Sequence, residues 1–318
     1  MDFRRLTDSE REQWDRDGYF LVEDALAEEE MAAIDAEIDR CDELSRKHGR
    51  EAGTYLDLMN VVDRTVDRSN GNTRLPTGPN QVFIDLLDHR NHLGLVCGLM
   101  GAAVHALATQ VMIRPPDPRP KSRWHRDTMA PYGFPAAGGM LPLLQFRIGW
   151  FLTDMPEPDM GNFCVIPGSH RLGFPRIPGG MDHALRLTSF AGYQELDDIC
   201  EGCPGAVQIT LKRGDAVVFH NALFHAVSRN TSDVYRRNLY YVYGPWWARL
   251  SDRNEVSPEA AEMCSPVQKQ LIGATLEPSA GAQADPDERM PLIELFEGRT
   301  FQETFDLEVE QYIRASQG

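Results

Sequence analysis

AVQITLKRGDAVVFH, residues 206–220, sets two short apolar runs around a turn centred on Gly214 and Asp215. Such a run, bounded by turn residues and rich in Val and Phe, reads as a buried strand. Working outward, the same texture recurs in HALATQVMI (105–113), LLQFRIGWFLT (143–153), NFCVIPG (162–168) and RNLYYVYG (237–244). Five or more short strands at irregular spacing, punctuated by Gly, Pro, Asn and Asp, indicate a β-sandwich or barrel.

The first hundred residues read differently. Thr7 followed by Glu10 forms a capping box for a helix ending near Gly18, and Tyr19 to Val22 reads as a strand. A longer helix is expected from Glu28 to Lys47, with Met31, Ile34, Ile38, Cys41 and Leu44 on one face. From Val82 no clear break comes before the glycines at 94–101, so a further helix is expected there. The apolar stretch Leu93 to Ile113 is interrupted by Gly94, Gly98, Gly101, His105, Thr109 and Gln110. A helix, a Gly turn and a buried strand fit it better than a membrane span. Ser279 to Pro291 has the composition of a flexible loop. The expected architecture is mainly β with helical decoration, in one domain covering residues 1–318. Helices over about 1–103 would pack on a strand core over about 104–245, with an extension over 246–318.

The formal net charge of -16 over 318 residues disfavours nucleic acid or an anionic membrane as partner, because the field would repel both. The N-terminus is charged where a secretory signal would be apolar, so a cytoplasmic protein is expected. Of six cysteines, only Cys200 and Cys203 have metal-like spacing, and no second pair completes a zinc site. Reduced, structural thiols are the expectation.

The chemistry begins at Trp124-His125-Arg126-Asp127. On an extended segment residues two apart face the same side, so His125 and Asp127 can converge on one ion. Imidazole plus carboxylate suits Fe(II), Mn(II) or Zn(II), and a second His on a neighbouring strand would leave coordination positions open for reactants. His220 and His225 both qualify by position. Arg236 and Arg237 open the next strand, where a guanidinium can hold a carboxylate in a bidentate pair.

Four stretches carry a family resemblance: DGYFLVEDAL (17–26), MIRPPDPRPKSRWHRD (112–127), LTDMPEPDMGNFCVIPGSHR (152–171) and GDAVVFHNALFHAVSRNTSDVYRRNLYYVY (214–243). Over about residues 10 to 245 the chain resembles the phytanoyl-CoA dioxygenase family. The resemblance implies a double-stranded β-helix, or jelly roll, and an Fe(II)- and 2-oxoglutarate-dependent oxygenase that uses O2. Its reaction would oxidise a C–H bond of a small organic metabolite and release succinate and CO2, with desaturation, epoxidation or cyclisation as alternative outcomes. By position, His125, Asp127 and His225 match the iron ligands and Arg236 the clamp on 2-oxoglutarate. Gln110 and Trp150 fall where relatives line the cosubstrate pocket. Ala226-Val227 stands where the family usually has Gly-Ser, which removes a hydroxyl near the cosubstrate carboxylate, and Ser228 is the available substitute. A halogenase would carry Ala or Gly in place of Asp127, and a metal-free barrel would have lost a ligand or the clamp.

The resemblance, matched by the spacing to Arg236, implies His225 over His220, which then reads as a structural histidine or one that supports a ligand from behind. His170 in the Pro167-Gly168-Ser169-His170 turn is expected to hold that turn. His48, His89, His92, His105 and His183 have no converging partners and are expected on the surface or in the core. Arg237 alternates with Arg236 and should face the other way, into a salt bridge or solvent. The Gly- and Pro-rich loop Thr128–Met140 directly follows Asp127, so Met129, Tyr132 and Phe134 are expected at the substrate. One or two of Tyr240, Tyr241, Tyr243, Trp246 and Trp247 join them, with Arg147, Trp246 and Trp247 as the remaining substrate candidates. The substrate would be an apolar or amphipathic compound from a biosynthetic pathway.

Overall fold

A computed structural model describes residues 3–47, 80–118, 122–127, 143–171, 203, 205–248, 256, 258–276 and 286–316. Met129, Tyr132, Phe134, Cys200, His48 and His183 lie outside the described residues. The chain forms two compact units: Met1–Leu6 with Met59–Ala108 and Tyr243–Gly318, and Thr7–Leu58 with Thr109–Val242.

The second unit carries the strands that bear the chemistry. Helix α1 (Asp8–Asp17) has the expected capping box: Thr7 Oγ1 accepts the Glu10 N–H, and the Glu10 carboxylate accepts the Thr7 N–H. Strand β1 (Tyr19–Val22) and helix α2 (Glu28–Lys47) follow. Seven more strands are β3 (Ser122–His125), β4 (Phe146–Phe151), β5 (Phe163–Val165), β6 (Val207–Gln208), β7 (Ala216–His220), β8 (His225–Val227) and β9 (Arg236–Pro245). With β2 (Val104–Arg114) they make a five-stranded sheet in the order β1-β7-β4-β9-β2 and a four-stranded sheet in the order β3-β8-β5-β6. The pairs β1–β7, β4–β7, β3–β8, β5–β8 and β5–β6 are all antiparallel. This is the jelly-roll core that was expected, although helices contribute more residues than strands.

β7 shows why its sequence is apolar throughout. All five of its residues are buried, because its two faces meet different layers. Val217 and Phe219 enter the cluster between the sheets with Phe151, Phe163, Val165 and Tyr240. Burial of each large side chain there is worth about 1.5–3 kcal/mol. On the other face His220 meets Trp14 of α1, whose ring also packs edge-on against Phe20 and Phe146. The turn before β7 requires Gly214, which sits at φ +95°, where an added Cβ would lie 3.2 Å from the Leu26 carbonyl oxygen. Asp215 closes this turn by accepting the N–H groups of Asp24 and Lys212.

In the first unit the helix expected from Val82 is two helices, α3 (Gln81–Asp85) and α4 (Leu93–Met100). Between them the buried His92 ring bonds the Leu87 carbonyl and, at 2.9 Å, the Tyr243 hydroxyl. The helix, Gly turn and strand expected over 93–113 are present as α4, Gly101 and β2. Part of the expected flexible loop is helical, at Pro286–Arg289, and the rest up to residue 285 lies outside the described residues. Among the described residues no helix is long and apolar enough to cross a membrane.

Candidate metal and cosubstrate site

β3 ends at His125, which is the register partner of His225, the first residue of β8. Adjacent antiparallel strands therefore set the two rings 4.2 Å apart between centroids. Two residues beyond His125 the Asp127 N–H donates to the Asn221 carbonyl at 2.9 Å, which pins the carboxylate beside the turn between β7 and β8. His125, Asp127 and His225 each offer a ligand atom, and these atoms lie within 4.8 Å of one another. His225 Nε2 is 3.7 Å from Asp127 Oδ2.

The local chemistry suits metal ligation. The ring nitrogen Nδ1 of His225 lies 2.9 Å from the Leu223 carbonyl, which can only accept, so Nδ1 carries the proton and Nε2 keeps its lone pair. Burial pushes the His225 pKa down to about 4 although Asp127 opposes it, so the ring is neutral near pH 7. For Asp127, burial works against the charge, but Arg147, His225 and His125 outweigh it and hold the carboxyl below the usual range. Arg147 Nε lies 2.6 Å from Asp127 Oδ2, and its Nη1 donates to Gln110 Oε1 at 3.1 Å. Two imidazoles and one carboxylate fit a divalent first-row ion such as Fe(II) and fill only part of its coordination sphere.

Arg236 supplies the second element. It is 1% exposed, its guanidinium lies over the Phe151 ring at 5.2 Å, and among the described residues none of its three side-chain nitrogens has a hydrogen-bond partner. Burial lowers its pKa; Tyr240 tempers this, although no bond of ordinary geometry joins the two. A buried cation with no acceptor is costly unless an anion joins it. A 2-oxoacid with a distal carboxylate fits that requirement.

The remaining candidates separate by strand parity. On β4, Arg147 reaches Asp127, an added Cβ on Gly149 would meet the Tyr240 ring at 2.3 Å, and Phe151 lies under Arg236. Trp150, an odd step along the strand, faces the other way and packs edge-on against Tyr241. Gln110 is brought in, through Arg147. Arg237 faces away from Arg236 and pairs with Asp35 and Asp39 of α2, at 3.3 and 2.6 Å. His220 faces α1, accepts the Ala222 N–H on Nδ1, and has its pKa lowered by burial to about 3. Ser228 is committed locally: its Oγ accepts the Asn162 N–H at 2.8 Å and donates to the Arg229 carbonyl at 3.0 Å. It does not replace the missing hydroxyl at position 227. Trp246 and Trp247 belong to the first unit, where they are exposed.

Sequence reasoning missed Ser169 and Arg126, although the Pro167–His170 turn was the signal for them. Ser169 Oγ accepts the Phe224 N–H at 2.8 Å, and the Ser169 carbonyl accepts from Arg126 Nη2 at 2.9 Å. The Arg126 guanidinium also covers the Phe224 ring at 4.2 Å. One turn thus ties both ligand-bearing segments, 125–127 and 224–225. Ser169→Ala should leave the buried Phe224 N–H unpaired and lower stability by about 1–3 kcal/mol. Urea unfolding checks this, and an unchanged midpoint would remove the turn from the site's support.

Comparison with known proteins identifies the family and the fold. The family model described as "Phytanoyl-CoA dioxygenase (PhyH)" matches residues 14–238. An ectoine dioxygenase of Nocardia farcinica is 25% identical over 241 residues, 72% of this chain and 75% of that protein. A peroxisomal phytanoyl-CoA dioxygenase of Rattus norvegicus is 22% identical over 261 residues, 77% of this chain and 70% of that protein. Among solved structures, HygX from Streptomyces hygroscopicus with nickel and 2-oxoglutarate bound has a TM-score of 0.58 at 18% identity. That likeness covers 77% of this chain and 89% of HygX, and shows the shared fold. With its family model spanning most of its length and the jelly-roll core in place, the chain belongs to the phytanoyl-CoA dioxygenase family.

Proposed function

We propose that His125, Asp127 and His225 hold the iron of this Fe(II)- and 2-oxoglutarate-dependent oxygenase, and that Arg236 holds the distal carboxylate of the cosubstrate. The observation that carries this reading is the pairing of a three-ligand cluster with a buried guanidinium that has no acceptor among the described residues. When bound, iron and 2-oxoglutarate supply the activation of O2, with decarboxylation to succinate and CO2 providing two electrons.

The chain's own residues bind and orient. Neutral His225 presents Nε2, fixed by the Leu223 carbonyl behind it, and the Phe163 and Phe219 rings pack within 5.5 Å of its centroid and keep water from it. Arg147 holds the carboxylate of Asp127 in place and is itself steadied by Gln110. The substrate is a small organic metabolite offering a C–H bond, and Met129, Tyr132, Phe134 and Arg147 are proposed to meet it. Trp246 and Trp247 lie in the first unit, and both are exposed.

Adding Fe(II) and 2-oxoglutarate to the metal-free protein under argon should produce the weak visible charge-transfer band of a chelated 2-oxoacid. Folded protein at saturating ligand that shows no such band would overturn the reading.

A further inference from the structure

Strand β9 places Arg236, Asn238 and Tyr240 on one face, since side chains alternate with a period of two. That face is the interior one: Arg236 lies over Phe151, and Tyr240 joins the cluster of Phe151, Phe163 and Phe219. Asn238, between them, is 0% exposed, and among the described residues neither its Oδ1 nor its Nδ2 has a hydrogen-bond partner. Buried carboxamides are almost always satisfied, because leaving both atoms bare in a low-dielectric interior is destabilising. Two neighbouring positions on one strand face, a guanidinium and a carboxamide, are thus both buried and both unpartnered. The guanidinium and the Nδ2 of the carboxamide share a need for acceptors, which an anionic ligand supplies.

The order of groups along the sheet says which part of that ligand Asn238 meets. On β4, Arg147 reaches the metal cluster, Gly149 faces Tyr240, and Phe151 lies under Arg236. Along β9, therefore, Arg236 stands at the end away from the cluster, Tyr240 nearer to it, and Asn238 between. Two strand residues span about 6.6 Å, within which an arginine and an asparagine side chain can converge on one carboxylate. A hydroxyl from β8 does not serve that carboxylate here, because Val227 has none and the Ser228 hydroxyl is bound to Asn162 and Arg229.

We propose that Asn238 is a second cosubstrate-binding residue, its Nδ2 donating to the distal carboxylate of the 2-oxoacid beside Arg236. The inference rests on the cosubstrate site proposed above. It makes Asn238 a selectivity residue for dicarboxylic over monocarboxylic 2-oxoacids.

The test is equilibrium binding to the Fe(II)-loaded protein under argon, by calorimetry, with 2-oxoglutarate and pyruvate as the two probes. Asn238→Ala should weaken 2-oxoglutarate about tenfold, the worth of one charge-assisted hydrogen bond. Asn238→Asp, nearly the same shape, sets a carboxylate against a carboxylate and should weaken it by about a hundredfold or more. Pyruvate has no distal carboxylate, and its affinity, read by competition, should change less than about twofold in both variants. Without cosubstrate, Asn238→Ala should melt no lower than the wild type, because it removes two unsatisfied buried atoms. Unchanged 2-oxoglutarate affinity in Asn238→Ala, or equal losses for both probes, would overturn the assignment. Failure of the wild-type protein to bind 2-oxoglutarate is a different result and would instead sink the site reading itself.

Discussion

Asp127→Ala and His225→Ala are each expected to abolish stoichiometric iron binding, while His220→Ala keeps it. The first two leave only two protein ligands on a labile divalent ion, and the ligand atoms that now converge within 4.8 Å lose a member. The loss should exceed the ~10–100-fold that follows removal of a group standing behind a ligand. His220 differs because its strand turns it away: its ring sits 5.6 Å from Trp14 and 5.4 Å from His170, against α1 and the Ser169 turn. Its removal costs packing and stability and leaves the cluster intact. Iron titration of each folded variant, followed by metal analysis, gives the ranking. If His220→Ala loses iron and His225→Ala retains it, the ligand assignment is wrong.

Arg236→Lys should raise the dissociation constant of 2-oxoglutarate by about ten- to a hundredfold, the ~1.5–3 kcal/mol of a charge-assisted pair. Lysine keeps the charge and loses the planar fork that matches a carboxylate. It also loses the guanidinium face that lies over Phe151. Arg237→Lys is the control one residue away. Its partners Asp35 and Asp39 are on α2, in a partly exposed network whose pairs contribute roughly 0.2–1 kcal/mol each. Cosubstrate affinity should stay within about twofold in that variant. Equal effects of the two changes would mean that the faces of β9 are reversed.

The sequence alone determined many of the elements and offered the proposed ligand set. Periodicity and capping residues placed α1, β1 and α2, because these signals are local: a Thr-x-x-Glu box and an apolar stripe act within a few residues. His125 with Asp127 was legible from a two-residue spacing, and Arg236 against Arg237 from strand parity. Parity gives relative faces, however, and not which face is interior. Only the tertiary structure decided that Trp150 turns toward Tyr241 while Arg147 turns toward Asp127, since that depends on which layer covers each side of β4. The bond that His92, between α3 and α4, makes with Tyr243, far along the chain, likewise belongs to the tertiary structure. The tie between Ser169 and Phe224 joins residues 55 apart, and the bare state of Asn238 is a statement about everything around it. Local sequence specifies which groups a strand can offer; packing from distant segments decides which of them are satisfied, and so which are left for a ligand.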